Sequence, residues 1–218
     1  MLYIAGIVSV LVCSLYCRKC IQDWEKIIES KQGEQIINNK KAELILYFSV
    51  VVSVCIFVFL FHKYGYGPLK CIKYCCLLWG LVPIAYRDWK TQIIPNRWLL
   101  YLVIIRIVIF IIECIAYPEA IMDSVAFILL GTLISGAVMF IAYVISRHEI
   151  GMGDVKLFIV MGMYLGLSLN YVVLLMSLIL SAVYGGIKLL KKDLKAKDAI
   201  PFGPFVLMGT VLVLGLGF

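Results

Sequence analysis

An all-α, polytopic integral membrane protein of about eight transmembrane helices is the fold class this sequence predicts, and three observations predict it. Hydrophobic residues make up 63% of the 218, with a mean hydropathy of +1.02. A soluble domain is nearer half apolar and could not bury so much. Apolar stretches of membrane-crossing length recur along the whole chain, separated by short polar connections. Charged residues are scarce, at 15%, and no room is left for a separate soluble domain.

In chain order, spans are expected at 1–17, 44–62, 70–86, 98–116, 122–146, 155–169, 171–189 and 201–218. The first has no positive n-region and no small-residue cleavage site, and Arg18 and Lys19 follow it. It reads as a retained anchor with its N-terminus outside. Loop 18–43 mixes charge signs and sets Ile21, Trp24, Ile27 and Ile28 at helical spacing. That is the pattern of an amphipathic helix lying on the interface, broken near Gly33. The sixth span is short and its junction with the seventh, "LSLNYV", is tight, so seven or eight crossings both fit. Two zones result: a two-helix region, 1–69, carrying loop 18–43, and a six-helix core, 70–218.

Lysine and arginine placement sets the orientation. Segments 18–43, 87–97, 147–156 and 188–197 hold 16 of the 20, which assigns them to the cytoplasm. The opposite side holds Lys63, Lys70 and Lys73, and Arg106 lies within a span. The net charge of +7 is then a topological signal plus attraction to anionic membrane lipids, and nucleic-acid binding is a poor reading of it. Of the eight cysteines, most sit in or beside apolar spans (Cys13, Cys55, Cys75, Cys76, Cys114), where cysteine behaves as a small hydrophobe. "CRKC" at 17–20 has metal-ligand spacing, but a zinc site wants a second pair in the same polar segment, and none is there.

Two acids stand out. Asp88 lies in "AYRDWKTQIIPNRW", just past the third span; Asp154 lies in "GMGDVK", where the sixth begins. Counting crossings places both at the same, cytoplasmic, membrane surface. For a lone Asp at a helix start, capping is the simpler reading. The surroundings alter that balance. Gly151 and Gly153 permit positive φ and close approach of another segment, and an irregular turn is expected before the span. Pro95 forces an extended residue before it, and Asn96 is placed to cap the fourth span, fixing how the Asp88 loop re-enters the membrane. If the two carboxyls converge, both cannot ionise, so one holds a proton. Such a pair can deprotonate a water for attack on an amide and protonate the departing nitrogen, with no metal or cofactor required.

"GMGDVK" at 151–156, an Asp followed closely by "IPN", and "IPFGPF" at 200–205 together resemble the type IV prepilin peptidases, GxGD-type aspartic proteases of bacterial and archaeal inner membranes. The resemblance covers residues 80–210, with the three motifs in order. It implies that Asp88 and Asp154 are the catalytic pair and that the substrate is prepilin-like. Such a substrate has a basic leader and an apolar helix, and is cut at the cytoplasmic face of the cell membrane. Gly151 and Gly153 carry over as motif positions that pack close to the second Asp. Pro201, Phe202, Gly203 and Pro204 match the C-terminal motif, expected to line the substrate groove. Longer members carry paired C-x-x-C sequences in the first cytoplasmic loop and a segment associated with N-methylation. This chain has a single C-x-x-C and no placeable methylation segment, a pattern nearer to the peptidases of Flp/Tad-type pili. The departure counts against both methyltransferase activity and zinc.

Arg106 is mid-span, where an unpaired cation is costly, and Glu113, seven residues on, is too far for a single-turn pair. An interhelical partner or a water cavity is expected instead. Lys156 reads as snorkelling to the lipid surface. His148 and Glu149 read as solvated loop residues, His62 as interfacial, and Trp89 and Trp98 as interfacial-belt residues beside Asp88. Two rival functions are weaker. A presenilin-like intramembrane protease would have its first acid in a Tyr-Asp pair, whereas Arg87 separates Tyr86 from Asp88. A transporter or scaffold would show inverted repeats and acids near the midplane.

Overall fold

A computed structural model describes residues 63–146, 150–191 and 200–217. The expected spans 1–17 and 44–62, the loop 18–43, His62, His148, Glu149 and the charge run 192–198 lie outside them. The chain divides into two compact units, 1–79 and 80–218. Every described regular element is helical: α1 (Pro68–Thr91), α2 (Asn96–Ala116), a 3-10 turn (Pro118–Ala120), α3 (Ile121–Ile145), α4 (Met152–Leu190) and α5 (Gly203–Leu216). Helices α1 and α2, the 3-10 turn with α3, and α4 give four stretches long and apolar enough to cross a membrane; α5 is apolar but has 14 residues. This is a multi-pass membrane protein. In the first unit the described part, 63–79, is a glycine-bearing loop and the start of α1, with Cys71, Tyr74, Cys75, Leu77, Leu78 and Trp79 buried.

Local chemistry explains where the helices stop. Pro68 opens α1, where a missing N–H costs nothing. The same helix overruns its expected end at 86 by five residues and closes at Gln92. That residue takes φ +52 and donates its N–H to Asp88 O at 2.8 Å. Asp88 is therefore a helical residue and not, as expected, a loop residue. Pro95 is extended (φ −77, ψ 129) and precedes α2; Pro118 cannot continue that helix and starts the 3-10 turn.

Helix α4 holds the largest departure from expectation. The spans anticipated at 155–169 and 171–189 form one element, Met152–Leu190, interrupted at Gly166 (φ +71, ψ −173) and not at "LSLNYV". Only glycine adopts that backbone without strain. The Phe127 ring of α3 also occupies the space a Cβ at 166 would need. The interruption is a sharp fold-back. Asn170 Nδ2 donates to Phe158 O at 3.1 Å and to Ser135 Oγ at 2.7 Å. In an unbroken helix residues twelve apart are separated by about 18 Å along the axis. The first arm, 152–165, is about 21 Å long, short of a hydrocarbon core of about 30 Å. Gly166 thus turns the chain back on itself after a short apolar arm.

Close backbone approach holds this hairpin, as expected where lipid removes any hydrophobic drive between helices. Gly131 of α3 and Gly162 of the first arm touch backbone to backbone, so a Cβ at either would collide with the other's carbonyl. Tyr164 Oη donates to Leu102 O of α2 at 2.6 Å. Arg106, 1% exposed, donates its Nε to Met163 O at 2.8 Å and pairs its Nη1 with Glu113 Oε2 at 2.9 Å. The interhelical partner expected of Arg106 is therefore the Met163 carbonyl, beside the fold-back. The expectation that Glu113 lies out of reach is wrong. Residues seven apart share a helix face about 10.5 Å apart along the axis, and two long side chains leaning toward each other span it.

Candidate active site

Three helix ends converge around two carboxyl groups. The apolar run of α1 ends at Tyr86 and that of α4 begins at Val155, so Asp88 and Asp154 both stand on the polar ends of their helices, beyond the apolar runs. Asp88 is 5% exposed, and its Oδ2 accepts the Gly203 N–H at 2.7 Å. Gly203 opens α5, so the carboxyl sits on that helix's positive end. A Cβ at 203 would lie 3.0 Å from Asp88 Cβ and 3.1 Å from Oδ2, closer than neighbours normally tolerate. The glycine in "PFGP" is therefore what lets α5 reach the acid. Pro204 fits the second helical position, where no N–H is needed, and Pro201 and Phe202 lead in. The Phe202 ring lies 6.1 Å from Phe158 on the first arm of α4.

Asp154 is the third residue of α4, and the cap is Gly151, extended at φ −67, ψ 135. The capping reading of Asp154 is thus replaced by a reciprocal one: its carboxylate takes the Gly151 backbone N–H, as an acid at the third helical position can. Neither Gly151 nor Gly153 uses positive φ; the helix begins at Met152 after the extended Gly151, and residues 147–149 before it lie outside the described residues. What the glycines supply is space. A Cβ at 151 would stand 3.1 Å from Asp154 Oδ2, and one at 153 would stand 2.9 Å from Ile94 Cβ. Ile94 is the residue that Pro95 holds extended. Asn96 is not the cap of α2 but its first residue, and its Oδ1 accepts from Lys156 Nζ at 3.2 Å. The "IPN" and "GMGDVK" segments therefore dock at two points. Lys156, expected only to snorkel, is one of them.

The electrostatics follow from this placement. Burial, followed by the negative charge of Asp88, raises the Asp154 carboxyl to about 7, against a smaller opposing pull from the Gly151 N–H. Burial also raises Asp88, while hydrogen bonds from Gly203 and Phe202 oppose it. Donors fixed on one carboxylate favour its charged form and leave the proton to the other. On the outer side, Trp89 packs edge-on against Tyr184 at 6.2 Å, and Tyr184 lies 5.3 Å from Phe205. Tyr184, on the second arm of α4, was not singled out by the sequence; its aromatic neighbours are its only signal. Among the described residues no three His, Cys, Asp or Glu side chains cluster as a metal site would require.

Residues 75–186 match the type IV leader peptidase family. A stretch of 164 residues is 27% identical to the prepilin leader peptidase/N-methyltransferase of Bacillus subtilis (strain 168), covering 74% of this chain and 62% of that relative. The match thus spans less than two thirds of the relative's length. No solved structure matches the chain significantly.

Proposed function

Because the chain belongs to the type IV leader peptidase family, we propose that it is a membrane aspartic endopeptidase. In this reading it removes the basic leader from prepilin-like proteins at the cytoplasmic face of the cell membrane, with Asp88 and Asp154 as its catalytic pair. What supports this reading is the placement of two carboxyls, 66 positions apart in sequence, at adjoining helix ends, Asp88 on the Gly203 N–H that opens α5 and Asp154 in the first turn of α4. The catalytic core is proposed to span 70–218.

In the proposed mechanism Asp88, held by the Gly203 N–H, is the ionised member and Asp154 the protonated one. Asp88 takes a proton from a water whose oxygen attacks the scissile carbonyl carbon, while Asp154 donates to the carbonyl oxygen. When the tetrahedral intermediate collapses, the C–N bond breaks and the proton on Asp88 passes to the leaving nitrogen. The new carboxyl returns a proton to Asp154, so one water is consumed and the pair is restored. The two prepositioned carboxyls stabilise the tetrahedral state more than the planar amide, which is what accelerates the step.

Full-length protein in detergent, mixed with a small protein bearing a basic leader and an apolar helix, provides the test. Asp88→Asn and Asp154→Asn are each expected to lower leader removal by about a thousandfold or more, and chelators are expected to leave the wild type unaffected. Undiminished processing in either variant would overturn the assignment.

A further inference from the structure

We propose that the fold-back of α4 is built around one bound water, held between Asn170 of its second arm and Ser135 of α3. Asn170 is 1% exposed, and its amide leaves one atom without a partner. Nδ2 donates to Ser135 Oγ at 2.7 Å and to Phe158 O at 3.1 Å, whereas the buried Oδ1 meets no donor among the described residues. Turning the amide over does not cure this. Oδ1 would then face the Phe158 carbonyl, acceptor against acceptor, and the amide protons would be the orphans. A buried acceptor with no donor is costly, and most of all where lipid surrounds the helices.

Ser135, also buried, supplies the complementary group. Hydroxyls elsewhere on these helices donate to the carbonyl one turn back: Thr132 to Ile128 at 2.6 Å, Ser177 to Val173 at 2.7 Å and Thr210 to Val206 at 2.7 Å. Ser135 Oγ instead accepts from Asn170, which leaves its own proton to give. Both residues line a cavity of about 20 Å³ between α3 and the two arms, together with Phe158, Leu167, Tyr171 and Leu174. A water occupies about 10–15 Å³ of such space and needs two to four polar partners, whereas a cavity that stays dry is lined by apolar groups alone. Here the water donates one hydrogen to Asn170 Oδ1 and accepts the Ser135 proton. Because Asn170 already ties the arms together through Phe158 O, the water completes a ring of hydrogen bonds joining α3 to both arms. A cation is the wrong occupant, since no carboxylate lines the cavity to balance it. Space for a single water excludes an alkyl alcohol.

An experimental structure of the full-length protein in lipid nanodiscs, at a resolution that shows ordered water, tests the proposal independently of any peptidase activity. One peak is expected about 2.7–3.2 Å from both Asn170 Oδ1 and Ser135 Oγ. In protein labelled with 15N-asparagine, the Asn170 side-chain amide is expected to show a magnetisation-transfer cross-peak to bound water. Tyr171→Phe should keep both signals. Asn170→Leu should abolish the density peak. Should that variant not fold, Ser135→Ala combined with Asn170→Leu removes both polar partners together, which is close to neutral for folding, and should leave the cavity dry. A wild type with neither peak nor cross-peak overturns the proposal, as does a peak that persists in the Leu variants. Loss of the signals in Tyr171→Phe would make that hydroxyl the donor to Asn170, and density larger than one water would assign the cavity to a lipid or detergent hydroxyl; either result also overturns it.

Discussion

Each carboxyl owes its character first to burial, which raises it, and then to backbone donors that oppose the rise, and the pH response follows. The proposed mechanism needs one ionised and one protonated member, so leader removal is expected to fall as pH rises through about 7, where Asp154 would lose its proton. It should fall again on the acid side as Asp88 becomes protonated, giving a bell-shaped profile owned by the pair. Stability moves in one direction only. The raised value means the folded state holds more protons than the unfolded chain between about 4 and about 7. Stability is therefore full below about 4 and lost as pH climbs toward 7. Thermal midpoints of wild type should decline across that window, and those of Asp154→Asn should decline less. A smaller perturbation tests the support of Asp88. Gly203→Ala places a methyl 3.0 Å from Asp88 Cβ and should lower cleavage about tenfold or more by displacing the carboxylate. Little change in thermal midpoint is expected.

Among the elements, α4 shows what sequence patterns reveal and what they hide. A short sixth span followed by a tight junction is legible from apolar length alone, and so are the bounds of α2 and α3, which depart from the expected 98–116 and 122–146 by at most two residues. The position of the turn is not. "LSLNYV" contains the polar residues that usually mark a connection, yet Ser168 and Asn170 continue the helix and Gly166 turns it. Asn170 is used instead to brace the two arms through Phe158 O and Ser135. Hydrophobic periodicity does not encode such tertiary partners. The same holds for Arg106 and Glu113, whose pairing across two turns depends on the Met163 carbonyl beside the break. Removing Arg106 takes the ion pair from a partly buried carboxylate and the donor from the Met163 carbonyl together. Arg106→Met should destabilise by about 3–5 kcal/mol. Arg106→Met combined with Glu113→Gln should cost less than the sum, by a coupling of about 1–3 kcal/mol in thermal or denaturant unfolding. Additive losses would show that the ion pair does not brace the fold-back.

At the level of the whole molecule, the order of the three motifs was readable, but their convergence was not. Asp88 and "GMGD" could be placed on one surface by counting crossings, whereas the part played by "PFGP" depends on the direction of the second arm of α4. Because Gly166 turns the chain back on itself, the second arm runs back toward the end from which the first arm started. Two contacts fix its destination: Tyr184 beside Trp89, and Gly203, after the following connection, on Asp88. Both ends of α4 must then open on the same side, an unusual outcome for a 39-residue apolar helix, which if straight would be about 58 Å long and cross completely. Single cysteines at exposed positions distinguish the two cases in sealed vesicles, with native cysteines replaced. Cysteines substituted for Met152 and Leu190 are expected to react with a membrane-impermeant maleimide from the same side, and those substituted for Ile115 and Met122 from the other. If positions 152 and 190 were labelled from opposite sides, α4 would be a single crossing. The segment joining it to α5 would then leave from the far face, Gly203 could not reach Asp88, and the proposed ionised member of the pair would lose the donor that distinguishes it.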